Sequence, residues 1–137
     1  MTVFISYAHS DRSLATEAAQ ALKKQGLRVW LDAWEILPGD NWSAKRGDAL
    51  RDADAMVLLL TNRGIHSHTI EQDLSFATSE RRFKGRVYPI YDGQEAMSEG
   101  PWVLKRLQGI RLDEYPEREE AFHVVADQIK KATPSYS

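Results

Sequence analysis

Residues 67–76, SHTIEQDLSF, carry two carboxylates and a histidine in one short helical pattern. Thr69 and Asp73 are four apart, so they share a helix face, one turn above the other. That face borders the apolar stripe Ile70, Leu74 and Ala77. Asp73 is therefore expected at the seam between helix and core, partly desolvated, where a carboxylate can be tuned for acid or charge-stabilising work. Glu71 lies two positions back, about 200° around the helix, and points elsewhere. By pattern alone, a carboxylate at such a seam is more often a boundary residue than an acid.

Other reactive side chains give weaker signals. His66 and His68 flank Ser67, but no third ligand lies within reach by sequence, so two exposed loop imidazoles are the plainer reading and no metal site is expected. His9 follows the first β-type run, and a lone loop histidine is usually solvated. No Ser–His–Asp arrangement can be argued from spacing. There are no cysteines, which excludes disulfides, thiolate metal sites and cysteine nucleophiles. GxGxxG and GxxxxGK[ST] are absent, so neither a dinucleotide-binding Rossmann unit nor a P-loop ATPase is supported. Trp30, Trp34 and Trp42 cluster around one run and its loop. Trp30 suits the core. Trp34 and Trp42 flank the turn-forming PGDN, where an aromatic face can either stack on a flat ring or simply pack.

These residues need a frame, and short β-type runs alternating with helical patterns supply one. Val3–Ser6 reads as a strand. Leu14, Ala18, Ala21 and Leu22 form one helical face, with Ser10 or Asp11 placed to cap its start and Gly26 to end it. Val29–Leu31 is a second strand, followed by a loop with Pro38 and Gly39. A helix runs from about Trp42 to Arg51; within it Arg46 occupies a place where an apolar residue fits better, unless its head snorkels. Ala55–Leu60 is all apolar, as for a strand buried on both faces. The helix with Asp73 comes next, then strands Val87–Tyr91 and Ile110–Leu112, and a last helix from about Glu117 to Lys131. Pro89 cannot donate to a ladder and should lie at an edge or near a strand end.

Alternation of this kind predicts a parallel sheet covered by helices on both sides. Ligands of such sheets bind outside the carboxyl ends of the strands, here Ser6–Arg12, Asp32–Asn41, Thr61–Thr69 and Asp92–Trp102. A receiver domain would share that layout but needs a phospho-acceptor aspartate after the third strand, where Thr61 and Asn62 stand.

The totals fit. The chain has 137 residues, enough for one core, with 42% hydrophobic and 28% charged residues. A formal charge of −2 argues against nucleic acid as a partner. MTVFISYAHSD has neither a basic region nor a long apolar stretch, so no signal peptide is expected, and no run is long enough for a membrane span. The cytoplasm is the default. One domain over residues 1–132 and a disordered tail, residues 133–137, are expected.

Taken together, VFISYAHSD at 3–11, GLRVWLDAWEILPGDNW at 26–42, ALRDADAMVLLL at 49–60 and RVYPIY at 86–91 resemble a TIR (Toll/interleukin-1 receptor) domain of the bacterial type, from Val3 to about Ile129. The second of these resembles the family's BB loop, including Asp32, Glu35, Pro38 and Gly39, and a proline in the fourth strand is familiar in the family. The resemblance implies a flavodoxin-like α/β three-layer sandwich with a five-stranded parallel sheet. It also implies one of two activities: assembly through TIR–TIR contacts, or cleavage of NAD at the nicotinamide–ribose bond, giving ADP-ribose or a cyclic relative, in bacteria as anti-phage or stress defence alongside a companion protein. NAD would be the substrate, with no metal or other cofactor.

The family keeps a catalytic glutamate on this helix, in a pattern like S-x-W-x-x-x-E-L. Registered on Ser67, Leu74 and Ala77, Asp73 takes the glutamate's place and Thr69 the tryptophan's. Both are departures, and aspartate draws the carboxylate back by roughly 1.5 Å. The resemblance thus implies Asp73 as the acid, and Ser6, Tyr7, Asp11, Arg12, Trp34, Gly39, Trp42 and Thr69 as the lining of an NAD pocket, with Arg12 toward the pyrophosphate and homo-oligomers completing the site. The rival expectation is a catalytically weak TIR scaffold that works by protein contacts or nucleotide sensing. A nucleoside deoxyribosyltransferase on a related fold also uses a carboxylate but lacks the BB-loop match.

Overall fold

The structure is a computed structural model that describes residues 2–99, 104, 107 and 109–132. Trp102 and the tail at 133–137 lie outside the described residues. Five strands form one parallel sheet in the order β2-β1-β3-β4-β5: β1 Thr2–Ser6, β2 Arg28–Trp30, β3 Ala55–Thr61, β4 Val87–Asp92 and β5 Ile110–Arg111. Between and after them run helices α1 Arg12–Lys24, α2 Asp32–Glu35, α3 Trp42–Asp52, α4 His68–Ser79, α5 Gln94–Glu99 and α6 Arg118–Ala132. This is the flavodoxin-like α/β sandwich. Two helices within the expected loops, α2 and α5, have too few residues to show a periodic apolar pattern.

Strand alternation divides the core in two. Val3 and Ile5 of β1, with Ala55, Val57 and Leu59 of β3, pack under α1 and α6, where Phe122 and Val125 lie. Phe4, with Met56, Leu58 and Leu60, packs under α3 and α4 against Leu50, Ile70 and Leu74. Ser6 follows Phe4 in that alternation and so faces α3 and α4. All seven residues of β3 are buried, as its apolar run requires.

Local chemistry sets the helix ends. Asn41 caps α3 by accepting from the Ala44 amide (3.1 Å), and Ser67 caps α4 from the Ile70 amide (3.4 Å). At the end of α1, Gly26 adopts a φ of +88°, while the Gly26 and Leu27 amides return to the Lys23 and Leu22 carbonyls at 3.0 and 3.3 Å. This is a Schellman turn, which a residue bearing Cβ resists. Asp11 occupies the N-cap of α1, but its side chain makes no cap bond there. Pro89 is the third residue of β4, opposite Leu58, rather than at an end. The short β5 pairs only with Ile90 and Tyr91, so the first half of β4 has no ladder on that side among the described residues, and the missing N–H is tolerated.

Candidate functional site

At the carboxyl ends of β1 and β2 a cleft of about 210 Å³ opens between Tyr7, His9, Arg12, Asp32, Ile36 and Trp42. Two turns shape it. The 3-10 turn His9–Asp11 leads into α1 and presents Arg12; α2 and the PGDN turn lead into α3, whose first residue is Trp42. In the PGDN turn Asp40 accepts from the Leu37 amide (2.8 Å) and pairs with Lys45 (3.1 Å). The amide first, and the ammonium second, hold the Asp40 carboxyl below the usual carboxylate range. Gly39 takes a φ of +92° there.

Tyr7 closes the floor. Its phenol donates to Asp32 Oδ1, tying the end of β1 to α2. Burial foremost, and the Asp32 carboxylate next, push the Tyr7 pKa well above its ordinary value. Burial likewise raises Tyr88 and Tyr91. The unfolded chain ionises its tyrosines near the ordinary value of 10.0 while the folded one still holds those protons. These groups therefore contribute stability that is complete below pH 10 and is lost as pH rises toward their folded values. The melting temperature should accordingly fall above pH 10, and Tyr7→Phe should flatten that fall, as thermal unfolding across an alkaline pH series would register.

Asp73 does not reach the cleft. It is 1% exposed, not partly desolvated as its place at the seam predicts. The cover is Arg46, itself 7% exposed, whose Nη1 and Nη2 donate to the two carboxylate oxygens. The fully buried Ser6 adds a third bond, its Oγ donating to Oδ2 at 2.6 Å. The guanidinium does not snorkel out of α3. It lies 5.1 Å from the Phe4 ring centroid and 5.3 Å from that of Trp42, and Phe4 in turn stacks on Trp30. Trp42 is thus both a wall of the cleft and a cover over Arg46. The charge that breaks the apolar pattern of α3 and the carboxylate that stands in α4 account for each other.

The other residues expected to line the pocket are dispersed. Tyr7, Arg12 and Trp42 line the cleft, joined by His9 and Asp32. Ser6 lies behind it with Asp73. Asp11 accepts from Thr61 Oγ1 (2.7 Å), which in turn accepts from the Gly64 amide (2.8 Å), so that carboxylate joins the β1 and β3 loops. A Cβ on Gly64 would stand 3.0 Å from both side-chain oxygens. Trp34 is not a cleft wall: it is turned to α1, with Lys23 Nζ 5.8 Å from its ring centroid. Gly39 and Thr69 do not border the cleft either, Thr69 lying in the first turn of α4. His66 and His68 are exposed, His68 beside Gln72 at 3.2 Å. Among the described residues no helix is long and apolar enough to cross a membrane.

The family model for the TIR domain matches residues 3–125. The chain belongs to the TIR domain family. Among curated proteins it is similar to an NAD(+) hydrolase, TcpA, of Theionarchaea archaeon (strain DG-70-1), 28% identical over 93 residues, which cover 66% of this chain and 28% of that protein. Among solved structures, a TIR-STING receptor from C. gigas superposes with a TM-score of 0.73 at 20% identity, covering 90% of this TIR domain and 39% of that chain. The TIR domains of the activated Roq1 resistosome give a TM-score of 0.71 at 15% identity, covering 93% of this chain and 98% of theirs. The TIR domain here therefore spans well under half the length of the first two.

Proposed function

We propose that this TIR domain binds NAD in the cleft at the ends of β1 and β2 and hydrolyses its nicotinamide–ribose bond, with Asp73 as the acid. The observation that carries the reading is the stacked order Trp42, Arg46, Asp73, which sets a buried carboxylate just behind the wall of a cleft that also holds a cation, Arg12. A similar protein named as an NAD(+) hydrolase supports it. In the reaction the bond from the ribose C1′ to the nicotinamide nitrogen breaks and nicotinamide leaves with the bonding pair. A carboxylate stabilises the oxocarbenium-like centre left behind. Water then adds at C1′ and gives up a proton, yielding ADP-ribose; ring closure by an adenine nitrogen would give the cyclic product instead. Nicotinamide departs as a neutral molecule, so no metal or further cofactor is invoked. Thr69 supplies no aromatic wall, and Trp42 takes that role. Ser6 orients the acid, while Asp11, Trp34 and Gly39 shape the loops around it.

Homo-oligomers through TIR–TIR contacts, a companion defence protein, a cytoplasmic setting and a part in anti-phage or stress signalling belong to the same proposal. The Roq1 TIR domains, seen within an activated resistosome, support the assembly. A second reading has its own observation. Both oxygens of Asp73 are engaged by Arg46, as befits a TIR scaffold that works by contacts or nucleotide sensing without catalysis. The deciding assay is NAD consumption by concentrated protein. Wild type is expected to release nicotinamide slowly and Asp73→Ala to release it on the order of 100-fold more slowly still. Wild type that stays inert at high concentration and under crowding favours the scaffold, and activity that survives Asp73→Ala but not Glu71→Ala moves the acid to Glu71.

A further inference from the structure

Arg46 touches two things that the proposed reaction needs. Its guanidinium packs under Trp42, a wall of the cleft, and holds both oxygens of Asp73. Its Nε is buried without a hydrogen-bond partner. A guanidinium has five donors in a planar fork, and that fork matches a phosphate as well as it matches a carboxylate. The bond to Asp73 therefore has a natural competitor in any ligand that brings a diphosphate into the cleft.

Resting on the reading that this cleft takes NAD, we propose that Arg46 is the specificity-determining residue of the site and selects diphosphate-bearing nucleotides. As the diphosphate enters, Arg46 exchanges Asp73 for it and leaves the aromatic slot between Phe4 and Trp42. The exchange uncovers the Asp73 carboxylate, still held by the Ser6 hydroxyl, beside the bound ribose. A nucleoside without phosphate offers Arg46 no anion, so it meets a covered carboxylate. One side chain then performs two steps, recognition of the substrate and release of the acid.

Calorimetric titration of the whole chain with ADP-ribose and with adenosine tests this. Wild type is expected to bind ADP-ribose about tenfold more tightly than adenosine or better. Asp73→Asn removes the competing charge, so ADP-ribose should bind about tenfold more tightly still and the preference over adenosine should widen. Arg46→Met combined with Asp73→Leu removes both charges and keeps an apolar core. It should bind ADP-ribose about tenfold more weakly than wild type, so that the preference over adenosine narrows. A merely structural ion pair leaves the preference for ADP-ribose unmoved in both variants. That result, with circular dichroism showing both folded, overturns the proposal. Wild type that binds neither ADP-ribose nor adenosine overturns the nucleotide reading on which it rests.

Discussion

Arg46→Met alone is expected to lower stability by about 3–5 kcal/mol, read as a shift of the urea midpoint at unchanged slope. The size follows from what the substitution leaves behind. Asp73 is 1% exposed, and its oxygens take three donors, two from Arg46 and one from Ser6. Without the guanidinium a single hydroxyl faces a buried negative charge, and the apolar core on that side of the sheet cannot solvate it. Exchanging both partners for apolar side chains is a different experiment, because desolvation of the two charges disappears along with their attraction. Arg46→Met with Asp73→Leu should return to within about 1 kcal/mol of wild type, or exceed it. A loss under about 1 kcal/mol for Arg46→Met would mean that water reaches Asp73 in solution and that the pair is not closed.

That pair also marks where sequence reading stops. The frame is legible because each element carries its own local signal. The all-apolar β3 announces burial on both faces, and the stripe Ile70, Leu74 and Ala77 names the inward side of α4, each without reference to the rest of the chain. The ligand edge follows from topology. Arg46 and Asp73 both stand out in sequence, one as a charge in an apolar place and the other as a carboxylate at a seam. Yet nothing local links positions 27 apart on different helices, and only the packing of α3 and α4 over Ser6 reveals that they satisfy each other. The same limit applies to the Tyr7 phenol and Asp32, joined across 25 positions. Trp34 departs from its expected place because α2 winds there instead of a loop, which carries its ring toward Lys23. Pro89 is tolerated mid-strand because β5 is short, and the length of a neighbouring strand is not written near Pro89.

At saturating NAD, Arg46→Met combined with Asp73→Glu should raise kcat by about 100-fold over wild type, with KM about tenfold higher because Arg46 no longer meets the diphosphate, and the two substitutions are needed together. The carboxylate of Asp73 sits roughly 1.5 Å short of where a glutamate would place it, and a misplacement near 1 Å can cost about 100-fold in rate. Asp73→Glu alone does not recover that factor. In a slot closed by Arg46 and Ser6 the extra methylene overpacks the core, at about 1–3 kcal/mol, and the longer carboxylate still competes with the diphosphate for Arg46. Arg46→Met alone frees the charge but leaves it short and buried. In the double variant the slot is vacated by the guanidinium, and the longer side chain has both the room and the electrostatic incentive to reach past Trp42 into the cleft, where water and substrate solvate it. Nicotinamide release by folded protein measures the outcome. A folded double variant no faster than wild type would show that the carboxylate on α4 does not limit the reaction, and would point instead to Asp32, the carboxylate that lines the cleft.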